Sequence, residues 1–108
     1  MPPAADLAGR IREILGDEPG VEERRMFGGV AFLLGGNMAV AAREDELLVR
    51  VGAERTGELL ATTDAQPMEM RGRPVRGWLR VDGAAAPAEL ARWVDLGAAA
   101  ARSLPAKR

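Results

Sequence analysis

The chain has 108 residues, enough for one compact domain with one hydrophobic core. Apolar residues make up 47% of it and charged residues 29%, with no apolar run that could cross a bilayer and no secretory leader, so we expect a cytoplasmic protein without membrane contact. It has no cysteine and no histidine, which excludes disulfides, thiolate nucleophiles and the commonest general base and metal ligand. We therefore expect no enzyme activity, no metal and no cofactor. The net charge of −1 offers no overall attraction to a polyanion.

A single domain over residues 1–108 is the expected organisation, with frayed ends at residues 1–5 and 105–108. The first predicted element is a helix that Asp6 caps and Gly16 ends. Its apolar residues recur at helical spacing: Leu7, Ile11, Ile14 and Leu15. The acids and turn-formers that follow, residues 16–23, predict an exposed connection.

A run of strands follows from Arg25. Residues 25–34 are β-prone, Gly35 and Gly36 predict a turn, and residues 38–43 supply a partner strand. A charged turn at residues 43–46 leads to a further strand at residues 47–51. The pattern predicts a meander of about three to four strands.

The second half alternates helix and hairpin. Residues 53–62 favour a short helix, and a second hairpin turns at residues 71–74. In its second strand, Val75, Gly77, Leu79 and Val81 alternate with Arg76, Trp78, Arg80 and Asp82. A long helix begins at Pro87, and Pro105 ends it. The predicted fold class is α+β: an antiparallel β-sheet built from hairpins and a meander, with an N-terminal helix, a short middle helix and a long C-terminal helix packed on the sheet.

The four paired glycines, Gly28, Gly29, Gly35 and Gly36, raise the question of a phosphate-binding loop. A P-loop needs a lysine and a hydroxyl at the start of a helix after its last glycine, and a dinucleotide fingerprint also lies between a strand and a helix. Here the pairs lie between apparent strands. We interpret Gly28 and Gly29 as a bulge or close backbone approach, and Gly35 and Gly36 as a hairpin turn.

The second hairpin collects basic residues around an aromatic one: Arg71, Arg73, Arg76, Trp78 and Arg80. The alternation places Arg76, Trp78 and Arg80 on one face, with Trp78 as a stacking surface between the arginines. Two interpretations stay open, a nucleic-acid or partner surface and a solvated open face of the sheet. Acidic residues at 17–18, 22–23 and 44–46 lack the spacing of a calcium loop, and we interpret them as solvated turns.

Four segments occur in a recognisable order: RRMFGGVAFLLGGNMAV (residues 24–40), LLVRVG (47–52), PVRGWLRVD (74–82) and LARWVDLGAAAARSLP (90–105). In this order they resemble the N-terminal domain of the TfoX/Sxy family of bacterial competence regulators. The resemblance implies an α+β fold and no catalytic residues. It also implies a regulatory role, since longer members regulate natural transformation together with the cyclic-AMP receptor protein at particular promoters. We expect a stand-alone N-terminal domain, without the C-terminal domain of those members.

The leading hypothesis is a regulatory or adaptor module that binds a protein of the transcription or competence machinery, through the exposed sheet face or the long C-terminal helix. The alternative is direct nucleic-acid binding through the arginine-rich hairpin, residues 71–80. The apolar side of the long C-terminal helix could also form the interface of a homodimer.

Overall fold

Helices and strands alternate along the chain in the computed structural model, which describes residues 3–26 and 28–105. The elements in chain order are α1 (Pro3–Leu15), β1 (Val21–Met26), β2 (Gly29–Leu34), β3 (Asn37–Arg43), β4 (Glu46–Arg50), α2 (Ala53–Thr62), β5 (Gln66–Met70), β6 (Arg73–Asp82) and α3 (Pro87–Arg102). The predicted α+β class, with its three helices and antiparallel sheet, is confirmed.

The strands of residues 3–26 and 28–105 form one six-stranded sheet in the order β1-β2-β3-β4-β6-β5, and every neighbouring pair is antiparallel. The first four strands are a meander that short turns connect. After β4 the chain forms α2, and the β5–β6 hairpin then adds to the sheet through β6, so β1 and β5 are the edge strands.

The three helices of the described residues all pack on one face of this sheet, where the main core lies. Each helix and each central strand contributes buried apolar side chains to it, including Ile11, Phe32, Val40, Leu47, Leu59, Leu79, Leu90 and Val94. Helix α3 lies closest to β3, because Gly97 faces the backbone of Ala39 and small side chains flank the contact at Ala98 and Ala101. In the described part of the chain, no helix is both long and apolar enough to span a membrane.

The structure corrects the prediction at β1. Residues 21–23, expected in an exposed connection, are paired with β2 in register, and the strand predicted over residues 25–34 is divided by a turn after Met26. Four of the six β1 residues are exposed, so the strand lacks the apolar alternation by which strands are recognised. Its conformation comes from edge pairing with β2.

Helix α1 starts earlier than the sequence predicts. Helix α1 begins at Pro3, before the predicted cap at Asp6, and ends at Leu15 with Gly16 at φ +55°. The fraying predicted for residues 1–5 and 105–108 stays a prediction, and residues 1, 2 and 106–108 lie outside the described residues, as does Phe27 in the predicted first strand.

Candidate functional site

The face of the sheet opposite the helices, which we term the open face, carries a second apolar cluster. Its buried members are Ala31, Leu33, Ala41, Leu48 and Met68, and its half-buried members are Met26, Met38, Val75 and Trp78. None of the described helices contributes to it. The open face therefore combines an apolar centre with partly accessible methionine and tryptophan side chains.

Charged side chains border this apolar centre. The strand register sets Arg24, Ala31, Ala41, Leu48 and Arg80 side by side across five strands, so an arginine stands at each end of an apolar row. Glu22 accepts a hydrogen bond from Arg24 at 2.9 Å, and Glu46 forms ion pairs with Arg43 at 3.3 Å and Arg80 at 3.1 Å. The border thus presents both signs of charge, and these arginines are already partnered.

Arg50, at the end of β4, holds Trp78 in place. Its guanidinium carbon lies 4.9 Å from the centre of the Trp78 ring, and its Nε donates a 2.6 Å hydrogen bond to the carbonyl oxygen of Met38. Burial lowers the pKa of Arg50 from its ordinary value. Among the described residues no carboxylate pairs with it, so its charge is balanced only by a carbonyl dipole and a ring face.

The structure divides the arginine-rich hairpin that the sequence singled out. Trp78 and Arg80 lie on the open face, whereas Arg76 lines a groove between α2 and α3. Arg71 lies in the β5–β6 turn at φ +54°, and Arg73 is exposed at the start of β6. Trp78 accordingly stacks on Arg50, and not between Arg76 and Arg80 as the alternation implied.

A bulge at Gly77 is the physical reason for this division. Gly77 has φ +86°, which only glycine adopts readily, and the β5–β6 register shifts beside it. Its carbonyl oxygen accepts hydrogen bonds from the backbone N–H groups of Val51 and Gly52, at 2.8 and 3.0 Å. The bulge changes the phase of the strand, so Val75 packs in the cluster of Trp78 and not in the core with Leu79, where the sequence pattern placed it.

The glycine pairs lie between strands, away from the start of each described helix. Gly28 is in the β1–β2 turn and Gly29 begins β2, where a Cβ atom would lie 2.0 Å from the carbonyl oxygen of Ala42. Gly35 and Gly36 form the β2–β3 turn, with φ of +59° and +82°. The four glycines therefore occupy turns and a site of close backbone packing. Within residues 3–26 and 28–105, no group of three acidic side chains could hold a metal ion.

Sequence reasoning missed two residues that shape the site, Arg50 and Gly77. Arg50 reads as a polar position in an alternating strand, and its contact with Trp78 requires β4 to pair with β6, a pairing that the intervening helix hides from the sequence. A glycine within a predicted strand was the available signal for the bulge.

Comparison with protein-family models identifies the family of this chain. The family model described as the TfoX N-terminal domain matches residues 13–101, most of the chain. No curated protein and no solved structure matches the chain. The matched range runs from the last turn of α1 nearly to the end of α3 and includes all six strands of the sheet. The chain therefore belongs to the TfoX N-terminal domain family.

Proposed function

We propose that this TfoX N-terminal domain is a non-enzymatic regulatory or adaptor module that binds a protein of the transcription or competence machinery through its open face. The observation that carries the proposal is the second apolar cluster, on the side of the sheet to which none of the described helices packs. Family membership supplies the regulatory context.

The composition of the open face favours a protein as the partner. Met26 and Met38 are flexible, polarisable side chains that adapt to different partner surfaces, and Trp78 is of the residue type most enriched at binding hot spots. An apolar centre with a charged border is the usual anatomy of a protein interface.

The charges of the open face argue against nucleic acid as its ligand. Binding to a phosphate backbone needs cationic side chains that are free to replace the counterions of the nucleic acid. Here Arg24 is bonded to Glu22, and Arg43 and Arg80 share Glu46. A mixture of both signs instead suits a protein surface with complementary charges.

Site-specific photo-crosslinking in the native host tests this proposal. A photoreactive side chain replaces Val75, half-buried on the open face, or Ala61, an exposed control on α2. We expect Val75 to capture one transcription or competence protein, identified by mass spectrometry, and Ala61 not to capture it. With that protein purified, Val75→Glu should weaken binding by roughly tenfold or more and Ala61→Glu should not. Circular dichroism checks that both variants fold.

A charge-reversed variant and nuclease treatment of the Val75 crosslinks test the nucleic-acid alternative. Reversing the charges of Arg71, Arg73, Arg76 and Arg80 would remove up to four phosphate contacts and flatten the salt dependence of nucleic-acid binding. The proposal predicts that protein capture at Val75 survives nuclease treatment. Nucleic-acid adducts at Val75, or a salt dependence that changes with the reversals, would refute it in favour of the alternative.

A further inference from the structure

A groove of about 560 Å³ lies at one end of the sheet, outside the open-face cluster. It is bounded by the start of α2, the end of α3, the end of β4 and the bulge of β6 at Gly77. We term it the arginine groove, after the three arginines that line it, Arg50, Arg55 and Arg76. Its volume is within the range of small-ligand sites.

The arginine groove has an excess of positive charge. Among the described residues, three cationic side chains from three separate elements line it, and Glu54 is the one acidic side chain in its lining. Arg76 has no ion-pair partner in the described part of the chain, and Arg55 has only a 3.5 Å contact with Glu58. Like charges in one concave site repel one another, and a bound anion would relieve that repulsion.

Arg50 strengthens the expectation of an anionic ligand. Arg50 is half-buried, and among the described residues its guanidinium contacts only neutral groups, the carbonyl oxygen of Met38 and the ring of Trp78. A partly desolvated cation without a counter-ion interacts more strongly with an incoming anion than a fully hydrated one does.

We propose that the arginine groove binds a phosphate group carried by a small molecule. Guanidinium groups present planar, paired N–H donors that match phosphate oxygens, and three of them suit a dianion better than a single-charged carboxylate. The groove is also lined by Val51, Ala100 and Leu104, which provide an apolar wall for the organic part of the ligand. The ligand class is therefore a phosphate monoester with an apolar portion.

Titration with phenyl phosphate, followed by two-dimensional amide NMR, tests this inference. We expect saturable shifts at residues 52–55 and 76–77, and stronger binding than that of inorganic phosphate or benzoate. Arg55→Ala and Arg76→Ala should each weaken binding by about tenfold or more, since each removes a charge-assisted contact. Arg73→Ala is the matched control, because Arg73 is exposed in the same strand and does not line the groove.

Three results would overturn the inference. They are shifts without saturation, an equal loss of affinity in Arg73→Ala, and benzoate binding as tight as phenyl phosphate. Both groove substitutions are at exposed positions, and the unchanged remainder of each spectrum would show that the variant is folded. Arg50 is left intact, since its bond to β3 gives it a role in folding.

Discussion

Two helical glycines in different surroundings should respond in opposite ways to the same substitution. Gly57 is exposed in the interior of α2, and a Cβ atom there would have no heavy atom within 4 Å. Gly97 is buried in α3, and a Cβ atom there would lie 2.6 Å from both the carbonyl oxygen of Ala39 and a methyl carbon of Val40. Neither glycine has a positive φ. The pair therefore isolates the effect of packing.

The magnitudes follow from helix propensity and overpacking. Alanine is favoured over glycine in a helix interior by about 0.8–1 kcal/mol, so Gly57→Ala should stabilise the protein by roughly that amount. Gly97→Ala gains the same propensity but forces α3 away from β3, at a cost of about 1–3 kcal/mol. The contacting group of Ala39 is a backbone carbonyl in a central strand, and Val40 is fully buried, so neither neighbour can move aside easily. We expect a net loss of about 1 kcal/mol for Gly97→Ala and a difference of about 2 kcal/mol between the variants.

Urea unfolding measures this difference. Trp93 lies in α3 and is buried in the core, whereas the other tryptophan, Trp78, lies on the open face. Tryptophan fluorescence therefore reports the packing on both faces of the sheet, and circular dichroism reports the helices. Both probes should give one transition with an unchanged m-value. Because 1 kcal/mol corresponds to about 4–8 °C in a domain near this size, thermal melting should separate the variants clearly. A Gly97→Ala variant as stable as Gly57→Ala would refute the close approach of α3 to β3.

Three further predictions concern polar contacts. Trp78→Ala should lower the free energy of unfolding by about 2 kcal/mol in urea titrations, since it removes a half-buried ring and the stacking partner of Arg50. Asn37→Ala should lower it by about 1 kcal/mol, because the side-chain amide of this buried residue bonds to the chain after α3. The hydrogen bond from Arg12 lowers the pKa of Glu23, so the contribution of Glu23 to stability is present at neutral pH and is lost as the pH falls through the lowered value. The stability advantage over Glu23→Gln should therefore decline as the pH falls below the ordinary glutamate pKa of about 4.3, and an advantage that does not decline with further acidification would contradict this assignment.

The helices were predictable because local signals define them. Helix α2 runs over Ala53–Thr62 as predicted, and α3 begins at Pro87, whose fixed φ suits a first helical position. Strand β1 could not be recognised in the same way. Its side chains are mostly exposed, and it is a strand because β2 offers it hydrogen-bonding partners. Pairing between strands is a property of the fold, and no short segment encodes it alone.

The candidate site, too, could be predicted only in part from the sequence. The alternation in β6 correctly places Leu79 and Val81 in the core, up to the point where Gly77 shifts the phase. Beyond the bulge, Val75 and Arg76 exchange the faces that the sequence pattern assigned to them. The arginines predicted to form one strip are therefore divided between two surfaces. Arg80 lies with Trp78 on the open face, and Arg76 lines the arginine groove.

Arg50 connects these two surfaces, and its position decides how each can be tested. Its side chain stacks on Trp78 at the open face and also lines the arginine groove. A substitution at Arg50 would therefore disturb both surfaces at once and would assign neither. Val75 belongs to the open face and Arg76 to the groove, so substitutions at these two positions separate the effects. If Val75→Glu weakens protein binding, and Arg76→Ala leaves protein binding intact but weakens phenyl phosphate binding, the open face alone carries the partner and the groove is an independent site.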